Sequence, residues 1–124
     1  MTLLPDQPPG SLLEKDVVAI LLPDAISILQ NDFQLSGIEL IVPEEFSKDV
    51  FLLKVFLRNA VEATGGPGNE TLYRMLYRVD IQEEKIRNAL NSSPTEDISS
   101  VISEMIIIRA LQKSYYRMKY REGT

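Results

Sequence analysis

The chain has 124 residues, 44% hydrophobic and 25% charged, with 13 basic against 18 acidic side chains and a formal net charge of −5. Such values suit one folded domain and argue against global disorder. It contains no cysteine and no histidine, which excludes disulfides, thiolate metal sites and Ser-His or Cys-His nucleophiles, though not chemistry run by carboxylates, lysine or bound magnesium.

Residues 1–10 hold Pro5, Pro8, Pro9 and Gly10 and are expected to form a flexible tail ahead of a single domain over 11–124. Ser11 with Glu14 makes an S-x-x-E capping box, so a helix over 12–22 is expected, with Leu13, Val17, Ile20 and Leu21 facing inward. A buried strand over 17–22 is the alternative, and Pro23 is expected to end either one. Asp24 then caps a second short helix bearing Ile26, Leu29 and Phe33 on one face, closed by Ser36 and Gly37. The β-branched run at 38–42, stopped by Pro43, reads as a short extended segment that pairs with 17–22 or lies along a helical bundle.

A helix starting at Ser47, or at the Pro43-Glu44-Glu45 step, is expected to run to Ala63 and stop at the Gly/Pro-rich 64–68. Val50, Phe51, Leu52, Leu53, Val55, Phe56, Leu57, Ala60 and Val61 cover most of its circumference, which suggests burial on most sides. Asn69 caps the next helix, with its echo of Leu72-Tyr73-Arg74 and Leu76-Tyr77-Arg78, and the chain is expected to bend at Val79-Asp80 into a further helix carrying Ile81, Ile86, Ala89 and Leu90. The glycine-rich loop has no P-loop lysine and follows a helix rather than a strand, so it reads as a connection and not a phosphate site.

The last predicted element is the longest. Ser93, Pro94 and Glu96 form a second capping box, and Ile98, Val101, Met105, Ile108, Leu111, Tyr115 and Met118 draw an apolar stripe to residue 121. A helix of about 28 residues would be about 42 Å long, so part of it should project or meet another chain. Ile102, Ile106 and Ile107 widen the stripe and are the candidate oligomer interface. Together the elements predict an all-α fold, a small helical bundle with a long C-terminal helix and one short extended segment near 38–42.

Charge is unevenly placed: residues 1–50 carry two basic against nine acidic side chains, net −7, and residues 105–124 five basic against one acidic, net +4. Arg109, Lys113, Arg117 and Arg121 recur every four residues with Tyr116 and Tyr120 alongside. Cations interleaved with aromatics suit phosphates and stacked bases, whereas a charge line is also the solvated face of an amphipathic helix, favoured at a C-terminus by the dipole. A third reading has the acidic N-terminal third meet this basic end, within or between subunits. The paired acids Glu44-Glu45, Glu83-Glu84 and Glu96-Asp97 lie at expected helix starts, where capping and the dipole explain them.

Leu76-Tyr77-Arg78-Val79-Asp80-Ile81 with Glu83 and Leu90, followed by Ile106-Ile107-Ile108-Arg109 and Gln112-Lys113, resembles the C-terminal half of short bacterial proteins of unknown function. The resemblance implies a bacterial cytosolic helical protein; it carries over no activity or site residue. No apolar run reaches the roughly 18 residues of a membrane span, and the first residues lack a basic signal region. The expectation is therefore a cytoplasmic, non-catalytic protein with no cofactor or metal, acting by self-assembly or protein contact, with a homodimer favoured. A nucleic-acid-associated protein using the basic C-terminal helix is the alternative.

Overall fold

The computed structural model describes residues 15–64, 70–78, 81, 83–92 and 97–122. The expected tail at 1–10, both Ser capping boxes, the loop at 65–68 with its Asn69 cap and the bend at 79–80 lie outside them. The helices are α1 (Lys15–Leu35), α2 (Val50–Ala63), α3 (Glu70–Arg78), α4 (Glu83–Ser92) and α5 (Ile98–Glu122), with a single 3-10 turn at Glu44–Phe46. No strand occurs among the described residues, so the all-α expectation holds.

Two elements expected before residue 36 are one helix. Pro23 lies inside α1 rather than ending a helix or strand, and Asp24 is an interior residue rather than a cap. The reason is packing: Val17, Val18, Leu21, Leu22, Ala25, Ile26, Leu29 and Phe33 keep one buried stripe in register across the proline. Ala19 and Pro23 are both exposed, so the carbonyl left without an N–H donor one turn back faces water instead of the core. The helix ends as expected at Ser36-Gly37. Gly37 takes φ 86, its N–H bonds Gln34 O at 3.0 Å, and the Ile38 N–H bonds Phe33 O at 2.9 Å, the paired bonds of a Schellman stop.

Residues 38–42 pair with no strand and lie along the bundle. Burial alternates with the period of extended chain: Leu40 is buried, Ile38 and Val42 half-buried, Glu39 and Ile41 exposed. α2 begins later than expected, at Val50, because Asp49 is the residue whose carboxylate accepts the Leu52 N–H at 2.8 Å. Nor is it buried on most sides. Leu53, Leu57 and Val61 form its buried stripe, while Phe51 is 73% exposed and Val55 40%.

α5 is the centre of the molecule. Lys54 pairs with Glu104 and Arg58 with Asp97, while Asp24 pairs with Arg117 and Asp32 with Lys113. In both sets the number rises on one helix as it falls on the other, so α1 and α2 each run antiparallel to α5. α2 covers its first half and α1 its second. Its 25 residues span about 37 Å, and it is packed as far as Tyr115, with the last turns more open.

Candidate functional site

The apolar face of α5 is rotated from the one the stripe predicted. Met105 and Ile108 are only half-buried and Ile98 is 39% exposed. Ile102, Ile106 and Ile107, expected at an oligomer interface, are each 1% exposed within the single chain. That expectation is corrected: α1 and α2 already cover them. The centre of the buried face carries small residues that pattern reading assigns to solvent, namely Ser99, Ser103, Ala110 and Ser114, all buried. Each serine hydroxyl has a partner. Ser103 donates to Ser99 O at 2.7 Å, Ser99 to the Glu62 carboxylate, and Ser114 shares its proton between Asp24 Oδ2 at 2.9 Å and Leu21 O at 3.3 Å.

Of the basic line, two members are drawn onto α1. Lys113 Nζ lies 3.1 Å from Asp32 Oδ2 and Arg117 Nη2 lies 2.8 Å from Asp24 Oδ1. The acids are the more enclosed partners, with side chains 14% and 15% exposed against 27% and 50% for the cations. The acidic N-terminal third thus meets the basic end within one chain. Arg109 is half-buried and donates to Gln112 Oε1 at 3.3 Å. Tyr116 is 57% exposed, edge-on to the buried Tyr115 ring at 5.3 Å, and Tyr120 is 77% exposed beside the exposed Arg121. The structure therefore keeps Tyr116, Tyr120 and Arg121 exposed near the end of α5 and brings Lys113 and Arg117 into the α1 contact.

Next to that contact lies a cavity of about 370 Å³ lined by Ser27, Ile28, Asn31, Asp32, Lys113 and Arg117. It shares Ser27 and Asn31 with a larger trough of about 640 Å³, bounded on one side by Gln30 and Gln34 and on the other by residues 37–41. The two adjoin beside α1 at those shared residues. Sequence reading missed them, and the signal was present: Ser27, Gln30, Asn31 and Gln34 recur at three and four residue steps, a polar strip on the helix that also carries the buried stripe.

Among the described residues no three acidic side chains gather as a metal site. Among the described residues the carboxylate with a resolved shift is Asp97, held below the ordinary aspartate range first by the Arg58 guanidinium and next by the Ser100 backbone N–H, and it is an exposed helix cap. What the surface offers is hydrogen-bond groups, paired charges and isolated apolar side chains. No family model, curated protein or solved structure matches this chain.

Proposed function

We propose that this is a non-catalytic helical protein that acts through protein contact, beginning with a second copy of itself. The observation that carries the reading is the outer face of α2, where Phe51 at 73% exposure stands one turn from Val55 at 40% in a helix that buries Leu53, Leu57 and Val61. A two-fold pairing of α2 would set these two side chains against their symmetry mates, the self-complementary arrangement most homodimers use. Asn59 and Glu62, both exposed, lie further along and supply a polar rim. The setting we infer is the bacterial cytoplasm, on composition and on the resemblance of the C-terminal half; no described helix is long and apolar enough to cross a membrane.

The nucleic-acid alternative loses support from the pairing of Lys113 with Asp32 and Arg117 with Asp24, because cations already met by carboxylates release fewer counterions from phosphate. Light scattering should give twice the 14.0 kDa chain mass, and the double substitution Phe51→Glu with Val55→Glu should halve that mass while the helical circular dichroism spectrum persists. A wild-type monomer that retards single-stranded RNA or DNA at low salt, with affinity falling steeply as salt rises, would replace this reading with the alternative.

A further inference from the structure

Met105 and Ile108, expected on the inner stripe of α5, are half-buried, whereas Ile106 and Ile107 between them are enclosed at 1% exposure. The half-buried pair belongs to a cavity of about 230 Å³ beside α4, lined by Ile81, Lys85, Met105, Ile108, Arg109 and Gln112. Ile81 is itself buried, and its N–H bonds Leu76 O at 2.9 Å, which fixes it between the end of α3 and the start of α4. On α5 the lining residues recur at three and four residue steps and so share one face. The apolar pair comes first and the polar pair one turn later, over about 10 Å of helix.

Both charged side chains among the described residues lining this cavity are cations, the exposed Lys85 and the half-buried Arg109. Arg109 Nη1 donates to Gln112 Oε1 at 3.3 Å, so an amide of the same lining steadies a guanidinium whose planar fork suits a carboxylate. The acids nearest in sequence are directed elsewhere: Glu104 pairs with Lys54 of α2 at 3.4 Å, and Glu84 stands about 100° round α4 from Lys85. Cationic charge beside an apolar floor selects an amphipathic anion. A bare phosphate would satisfy the charge and leave Ile81, Met105 and Ile108 without a contact, whereas an alkyl body fills that part, with the flexible Met105 adapting to it. The volume lies below the roughly 300 to 1,000 Å³ of sites for drug-sized ligands, so the molecule is small.

We propose that the α4–α5 cavity binds a small monocarboxylic acid as its anion, with the apolar body on Ile81, Met105 and Ile108 and the carboxylate between Lys85 and Arg109. This is a ligand site beyond protein contact, and it shares no residue with the Phe51 and Val55 face of α2.

The test is a titration of the isotope-labelled full-length protein with octanoate, well below the concentration at which it forms micelles, followed by two-dimensional amide NMR. Saturable shifts are expected at Ile81, Lys85, Met105, Ile108 and Arg109. Octanol, with the chain but no charge, should bind about tenfold more weakly, and acetate, with the charge but no chain, should not saturate. Lys85→Glu, at an exposed position, should weaken octanoate about fivefold or more and leave octanol unchanged. Raising the salt concentration should weaken octanoate on the wild-type protein, a measurement that needs no variant to fold. Shifts that do not saturate or that map elsewhere, octanol binding as tightly as octanoate, or full affinity in Lys85→Glu would overturn the site. The protein carrying Phe51→Glu with Val55→Glu should bind octanoate as wild type does, and octanoate should leave the light-scattering mass unchanged, so failure here is separable from failure of the dimer reading.

Discussion

Asp97 joins three interactions in one side chain. Its Oδ1 accepts the Ser100 N–H at 2.7 Å, and its Oδ2 accepts from Arg58 Nε at 3.1 Å and lies 2.9 Å from Arg58 Nη2. It therefore caps α5 and ties that cap to α2. Arg58 is the larger cause of its lowered pKa and the Ser100 N–H the next. A carboxyl whose folded pKa lies below its unfolded value, about 3.9 for aspartate, contributes stability that is complete above the unfolded value and is lost as pH falls through the folded one. Asp97→Ala should accordingly cost about 1 kcal/mol near neutral pH, the usual loss of a helix cap, and the difference from wild type in urea midpoint should shrink once the pH is well below the ordinary aspartate range. An undiminished difference in acid would mean that the uncharged hydrogen bond, not the charge, does the capping. The sequence marked this helix start through Ser93 and Glu96 and assigned Asp97 only to the dipole. Ser93-x-x-Glu96 and Asp97-x-x-Ser100 follow one another directly in the sequence, and each is a pattern that can satisfy the orphan N–H groups of a first helical turn, so pattern alone does not choose between them.

Among the elements, the ones legible in advance were those whose ends carry their own chemistry: the Gly37 stop of α1, the end of α2 at Ala63 and the existence of α3, α4 and α5. The readings that failed depended on which side of an element faces a neighbour. Pro23 was read as a terminator because local sterics disfavour an interior proline, and eight buried side chains on α1 override it. If so, the proline is a tolerated cost. Pro23→Ala restores one N–H donor at an exposed position and should raise the thermal midpoint, by an amount worth about 1 to 3 kcal/mol; a fall would show that the proline shapes a bend the packing needs. The isoleucines of α5 were likewise recognised as excess apolar surface but assigned to a second chain, since a stripe centred on Met105 and Ile108 leaves no room to see serines as core. With Ile106 at 1% exposure, Ile106→Ala should cost about 2 to 5 kcal/mol. Phe56 is only half-buried, its ring 5.5 Å from Phe46, and Phe56→Ala should cost clearly less than Ile106→Ala in the same denaturation series. Equal losses would place Phe56 in the core after all.

At the scale of the whole molecule the segregated charge becomes an internal device. An acidic first third and a basic last helix would repel their own kind and attract each other at a distance, and the antiparallel run of α1 along α5 brings Asp24 to Arg117 at 2.8 Å and Asp32 to Lys113 at 3.1 Å. Each pair is partly exposed on the cation side, so each alone is worth at most about 1 kcal/mol. Their joint effect is directional: they favour the one alignment of α1 on α5 that also seats Ser114 between Asp24 and Leu21. Reversing Lys113 and Arg117 to glutamate sets two carboxylates against the two most enclosed acids of α1, and repulsion at that range is screened by salt. The doubly reversed protein should therefore melt below wild type at low ionic strength and recover part of the deficit at high ionic strength, whereas the wild type, losing attraction, should lose a little stability over the same salt range. Opposite salt slopes in the two proteins are the expected result. Parallel slopes would mean that apolar packing alone sets the α1 alignment and that the charge asymmetry of the chain serves an external partner instead.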